Sequence, residues 1–234
     1  LAKKKGFFRK LWRICRWIIV LFFGTSIFFA LLYKFVPPPV TPLMIIRVVE
    51  QMTGEGPVKL SKDWVSLGNI SHNLEQAVVA SEDNEFLEHY GFDFEAIKKA
   101  QAYNKKHKKT KGASTISQQT AKNVFLWPQR SWFRKGLEVY FTALIELIWG
   151  KERIMEVYLN VIEMGKGIYG AEAAAQNYFR KPASKLTKSE SALIAACLPN
   201  PRKYSVAKPT SYILKKQKWI LNRMNQIERV EFEN

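Results

Sequence analysis

Three short blocks of this chain carry residue types that could do chemistry. The first, Ala80 to Asp93, holds four carboxylates, Glu82, Asp83, Glu85 and Glu88. Glu82 follows the apolar run Ala77-Val78-Val79-Ala80, so its carboxyl is expected to be partly buried, with a raised pKa suited to proton transfer near neutrality. The alternative for all four is a solvated acidic face. The second block, Gly112 to Asn123, is a small-residue turn running into Ser114, Thr115, Gln118, Gln119 and Lys122. Hydroxyls and backbone N–H groups at a helix start suit a phosphate oxygen, and Lys122 adds a cation one turn beyond Gln118. No Gly-Lys-Ser/Thr follows at P-loop spacing, and taken alone the pattern is an N-capped helix. In the third, Arg134-Lys135-x-x-Glu138, spacings of three and four put Glu138 beside both cations on one helical face. As an isolated cluster it reads as a surface ion pair.

Helices must position these blocks. Asn73 with Gln76 three residues on predicts a helix start, Leu74, Ala77, Val78 and Phe86 fall near one face, and Gly91 stands where a left-handed C-terminal cap is expected. Ala80 to Asp93 is thus read as the last two turns of that helix. Short helices are also predicted over Thr41–Met52 and Phe94–Tyr103, with an irregular or weakly extended segment around Trp64. Between Lys98 and Lys111 there are seven lysines in fourteen residues. They form a solvated loop or a mobile basic flap, with His107 a bystander. Phe125, Leu126, Trp127, Trp132 and Phe133 suit a lipid interface or a core. Lys151–Val161 reads as a helix with Ile154, Val157 and Tyr158 inward, followed by a glycine-rich turn into an alanine-rich helix. Thr187-x-x-Glu190 is a capping box, which makes Glu190 a cap. Ser211–Ile227 is amphipathic, with Ile213, Ile220, Met224 and Ile227 on one stripe.

The chain of 234 residues has a formal net charge of +17, unevenly spread. Residues 1–34 carry eight of the 37 basic residues and no acid, which leaves the rest at +9. From Trp17 to Tyr33 no residue is charged, the minimum length for a membrane-spanning helix. Seven basic residues precede this stretch and one follows, so the N-terminus is expected inside and everything after Lys34 outside. A cleaved signal peptide is the second reading, but no convincing small-x-small site precedes Pro37-Pro38-Pro39. The organisation read from this is a basic cytoplasmic tail (1–16), an anchor (17–34), a proline-rich spacer (35–42) and one domain (43–234). Nucleic acid is excluded as a partner, because the basic body lies on the wrong side of the membrane. Cys15 and Cys197 cannot pair within the chain, lack metal-ligand company and are read as packing residues.

In order, the blocks Glu82-Asp83-x-x-Phe86-x-x-His89-x-Gly91-x-Asp93, Gly112-Ala113-Ser114-Thr115-Ile116-Ser117-Gln118-Gln119 and Arg134-Lys135-x-x-Glu138 resemble the peptidoglycan glycosyltransferase family, which polymerises lipid II into glycan strands. Two further blocks extend the resemblance. Lys151–Phe179 contains Tyr158-Leu159-Asn160 and Gly165-x-Gly167-x-Tyr169-Gly170, and Leu186-x-x-Ser189-Glu190-x-Ala192-Leu193-Ile194-Ala195 leads to Pro199-Asn200-Pro201. Ala113 departs from the second glycine usual in the family. The resemblance implies a mostly α fold, with a lysozyme-like helical head and a smaller membrane-facing jaw near 94–135, behind a single N-terminal transmembrane helix. Ser205-x-x-Lys208 is taken as a chance match. With no Ser-x-Asn or Lys-Thr-Gly after it, a monofunctional enzyme without a transpeptidase domain is expected.

The resemblance also implies the chemistry. Glu82 is the base for the 4-hydroxyl of the acceptor's N-acetylglucosamine, which attacks C1 of the donor's N-acetylmuramic acid with inversion. Lys122, Arg130, Arg134 and Lys135 neutralise the departing undecaprenyl pyrophosphate, while Ser114, Thr115, Gln118 and Gln119 position the donor. Glu138 either orients the cations or helps hold a divalent cation, magnesium or manganese, and that choice stays open. The implied partners are lipid II, the growing glycan and the bacterial inner membrane, with cell-wall synthesis or division proteins left open. A membrane-tethered glycan hydrolase and a non-catalytic scaffold are the rival readings.

Overall fold

The computed structural model describes residues 2–54, 56–107, 111–129 and 131–232, with side chains from Arg9 onward. They fall into two compact units, 1–37 and 38–234. The first is one helix, α1 (Ala2–Phe35), so the basic tail and the uncharged stretch form a continuous rod. Its segment Arg9–Phe35, 27 residues, is long and apolar enough to cross a membrane. At 1.5 Å per residue it reaches roughly 40 Å against a hydrocarbon core of about 30 Å. Cys15 is exposed on this helix, not packed as expected, because its neighbours face outward; Cys197 is buried, and both are free thiols.

The second unit is mostly helical. Its helices are α2 (Pro42–Met52), α3 (His72–Glu82), α4 (Phe94–Lys106), α5 (Ile116–Phe125), α6 (Trp132–Ile148), α7 (Lys151–Val161), α8 (Ala171–Phe179), α9 (Lys188–Cys197) and α10 (Ser211–Met224). A small sheet of β1 (Ser61–Lys62), β2 (Glu163–Gly165) and β3 (Ile168–Tyr169) has the order β1-β3-β2, with β1 parallel and β2 antiparallel to β3. The glycine-rich turn expected after α7 is therefore a hairpin. It holds Gly167 with a positive φ of 70°, where an added Cβ would sit 2.3 Å from the Lys59 carbonyl oxygen, so the parallel strand can approach only a glycine.

Local capping sets several helix starts. Thr115 and Gln118 form a reciprocal capping box on α5, and Thr187 and Glu190 form another on α9. Apolar faces then assemble the core. Leu74, Ala77 and Val78 of α3, Ile154, Val157 and Tyr158 of α7, and Ile213 and Ile220 of α10 are fully buried. α10 packs on α9 and α3, while α5 packs on α6 and α7. Thus the amphipathic C-terminal helix lies against the helix that ends at Glu82.

That helix differs from expectation at both ends. Ser71 occupies the N-cap position, and Asn73 instead donates to the Ser71 hydroxyl and the Leu186 carbonyl. Gln76 grips the C-terminal tail, donating to the Glu228 carbonyl and accepting from the Val230 N–H. At the other end α3 stops at Glu82, and residues 83–91 form turns rather than two further helical turns. Asp83 leaves helical geometry (φ −163°, ψ 82°) because its carboxylate accepts from the Ile116 N–H at 2.9 Å and from His89 Nε2 at 2.9 Å. A carboxylate at the start of α5 also meets the positive end of that helix. Gly91 does adopt a positive φ of 83°, but in this turn and not as a helix cap.

Glu75, buried in the first turn of α3, is pushed up to about 7 by burial and then by the nearby Glu152 carboxylate. An acid with a raised folded-state pKa binds more protons folded than unfolded, so its stabilising contribution declines as pH rises from about 4.5 to about 7. Glu75→Gln is expected to stabilise the domain by about 2 kcal/mol at pH 8 and by little at pH 4.5. Thermal melts at the two pH values would check this; equal effects at both would refute it.

Candidate active site

Glu82 is half-buried at the C-terminal end of α3, and its Oε2 accepts from Gln119 Nε2 of α5 at 3.0 Å. Burial raises its pKa above the ordinary carboxylate range, while the Gln119 hydrogen bond and the charges of Lys216 and Lys122 pull it back. A carboxylate so placed can hold a proton just removed from a hydroxyl. Each member of this pair lines a different cleft. One, of about 200 Å³, is lined by Gln119, Lys122, Asn123, Trp127, Arg47 and Tyr158 among others. The other, of about 280 Å³, is lined by Glu82 itself with Ser114, Thr115, Lys99, Trp219 and Arg223. Gln119 therefore ties the carboxylate of one cleft to the wall of the next.

The α5 start is tightly engaged. The Thr115 hydroxyl donates to the Gly91 carbonyl at 2.7 Å and accepts the Gln118 N–H, and the Gln118 carboxamide oxygen accepts the Thr115 N–H at 3.0 Å. These two side chains, both buried, hold the turn in place. Ser114 and Thr115 lie in the cleft of Glu82, whereas Lys122 lines the other. Behind them, Ser117 donates to Glu146, and Lys151 bridges Glu146 (2.8 Å) and the His89 carbonyl (2.5 Å). That chain pins the turn after Glu82 to α5, α6 and α7.

Arg134, Lys135 and Glu138 fall together on α6 as their spacing predicts, but the cluster is not a surface pair. Glu138 is 3 % exposed and accepts from Arg134 at 2.8 Å and Lys135 at 2.5 Å, while Arg134 is itself buried. Both Glu138 oxygens are taken by cations. No group of three or more His, Cys, Asp or Glu able to hold a metal occurs among the described residues. The donor set around Glu138 thus does not fit a protein-built divalent cation site. Arg130, and Lys108, Lys109 and Thr110 of the basic segment, lie outside the described residues. Trp132 and Phe133 at the start of α6 are 93 % and 71 % exposed, whereas Leu126 is buried, which divides the aromatic group between surface and core.

Several residues at the clefts were missed in sequence. Lys216, Trp219 and Arg223 of α10 stand three and four apart, so one stripe brings them to Glu82, beside the apolar stripe that packs the helix. That spacing is legible in the sequence, but only the packing of α10 against α3 gives it a partner. Arg47 and Glu163, 3.6 Å apart on the far wall of the first cleft, have no local signal, because α2 and β2 are joined only by folding.

Comparison with known proteins assigns the family. Residues 48–225 match the family model described as transglycosylase, and the chain belongs to that family. It is 57% identical over 220 residues to a biosynthetic peptidoglycan transglycosylase of Bdellovibrio bacteriovorus, covering 92% of this chain and 88% of the relative. Proteins of the same description from Bacteroides thetaiotaomicron (56% over 221 residues, 94% and 89% covered) and Caulobacter vibrioides (56% over 199 residues, 85% and 84% covered) are also similar. The protein is a peptidoglycan glycosyltransferase, and its matched domain is a transglycosylase domain.

Proposed function

We propose that this enzyme polymerises lipid II, with Glu82 as the general base. The observation that supports this most is the Glu82 carboxylate in one cation-bearing cleft, hydrogen-bonded to Gln119, which lines a second cleft with Lys122. In this reading the acceptor lipid II enters the cleft of Ser114, Lys99 and Arg223, so that its N-acetylglucosamine 4-hydroxyl reaches Glu82. The donor occupies the cleft of Lys122, and its anomeric carbon is attacked with inversion. The proton moves from the hydroxyl to Glu82, the new glycosidic bond forms, and the bond from the anomeric carbon to the pyrophosphate oxygen breaks. Lys122, Arg130 and the Arg134–Lys135 pair stabilise the charge that gathers on the departing pyrophosphate. Glu138 holds its two cations in place.

A divalent cation, in this reading, would be held by the substrate's pyrophosphate and would supply further charge neutralisation there, since both Glu138 oxygens are engaged by Arg134 and Lys135. The domain is residues 43–234, with its membrane-facing lobe near 94–135. α1 anchors it in the bacterial inner membrane with the N-terminus in the cytoplasm, from the bias of basic residues before the span.

The test is an assay of the membrane-anchored protein with lipid II and, separately, with finished glycan, each with and without chelator. Lipid II should be consumed and glycan left intact. Consumption of glycan instead would favour a hydrolase and sink this reading. The rate should also fall as pH drops through an acid limb above the ordinary carboxylate range, because burial raises Glu82 and a protonated base cannot accept the hydroxyl proton.

A further inference from the structure

We infer that Tyr158 is a positioning residue for this reaction, its buried hydroxyl fixing the Gln119 carboxamide in the orientation that presents an N–H to Glu82. The inference rests on Glu82 acting as the base. A carboxylate only accepts hydrogen bonds, whereas a carboxamide has a donating and an accepting end of nearly the same shape. Turned one way, Gln119 stabilises the Glu82 carboxylate; turned the other way, it presents oxygen to oxygen. Something must choose, and Tyr158 can do so. Its side chain is fully buried on α7, and its hydroxyl donates to Gln119 Oε1 at 3.4 Å while Gln119 Nε2 faces Glu82 Oε2 at 3.0 Å. The Tyr158 contact is long for an O–H···O bond, so it acts by direction more than by strength. A buried phenol is also a poor place to leave a donor unpaired, which holds the pair together from the other side.

The arrangement crosses three helices: Glu82 ends α3, Gln119 lies on α5 and Tyr158 on α7. The other charges near Glu82 are Asp83 beside it, Lys122 from α5, Lys216 from α10 with Cys197 of α9 near it, and, along its cleft, Glu85, Asp93, Lys99 of α4 and Arg223 of α10. Burial and the neighbouring Glu82 and Asp83 charges raise the Tyr158 phenol well above its ordinary value, so it remains a donor throughout the pH range of an assay.

Steady-state polymerisation of lipid II by the full anchored chain, measured from pH 6 to pH 9, tests this for the wild type, Tyr158→Phe, Gln119→Leu and the double variant. Tyr158→Phe should move the acid limb to higher pH, losing about fivefold at pH 6 and under about twofold at pH 9, with an unchanged melting temperature. Gln119→Leu should shift the limb further, by about tenfold in rate at pH 6. The double variant should behave like Gln119→Leu alone, since the tyrosine acts through the glutamine. A uniform loss across pH with the limb unmoved, no change in Tyr158→Phe, or additive effects in the double variant would each overturn the inference. Should Tyr158→Phe fail to fold, an unshifted limb in Gln119→Leu overturns it equally. If the wild type makes no polymer, it is the lipid II reading that fails, and Glu82→Gln separates the two by abolishing turnover whatever Tyr158 does.

Discussion

Replacing Glu82 with Gln is expected to abolish polymerisation while donor binding stays nearly intact. The amide keeps the shape of the carboxyl but cannot take a proton, and loss of a general base commonly costs 10²–10⁴-fold. The surroundings support so large an effect. Burial raises Glu82, while the Gln119 hydrogen bond and the Lys216 and Lys122 charges oppose that rise and favour its charged form. No second carboxylate of this block can substitute. Asp83 is buried and committed to Ile116 and His89, and Glu85 and Glu88 are exposed. Single-turnover rates and donor affinity, measured separately, would check this. A variant that keeps more than about a hundredth of the wild-type rate contradicts the assignment. A variant that loses donor binding to the same degree as rate would instead make Glu82 a binding group.

The second large effect is expected at Glu138. Its carboxylate is buried against Arg134 and Lys135, so Glu138→Leu leaves the buried Arg134 guanidinium unopposed. Removing one partner of a buried pair costs about 3 kcal/mol or more, which in a domain of this size lowers the melting temperature by roughly 10 °C. Polymerisation should fall as well, by about tenfold or more, because Lys135 is no longer held for the pyrophosphate. The double variant Arg134→Met with Glu138→Leu separates the two causes. Replacing a buried ion pair by apolar side chains is often neutral for stability, so the melting temperature should largely recover. Activity should not. Recovery of both would reduce the cluster to scaffold, and an unchanged melting temperature in Glu138→Leu would contradict its burial.

Much of the site was legible one helix at a time. The reciprocal caps at Thr115–Gln118 and Thr187–Glu190, and the contact of Arg134 and Lys135 with Glu138, lie within one helical turn, and spacing alone dictates them. The membrane-length helix is likewise a matter of composition and length. Where prediction missed, the deciding partner was distant in the chain. Helix α3 was expected to run on to Gly91, yet it stops at Glu82 because Asp83 finds the Ile116 N–H 33 residues away. Asn73 has the chemistry of a cap but serves Leu186 instead.

By itself, then, the amino-acid order determined the family blocks, the apolar membrane-length helix and the within-turn contacts of Thr115 with Gln118, Thr187 with Glu190, and Glu138 with Arg134 and Lys135, because helix geometry converts spacing directly into proximity. Only the tertiary structure decided that Glu82 meets Gln119, that Tyr158 stands behind that carboxamide, that α10 brings Lys216 and Arg223 to the same place, and that Glu138 is buried. Those contacts join residues on different helices. Their proximity follows from how the apolar faces of α3, α5, α7 and α10 pack, and no local spacing records it.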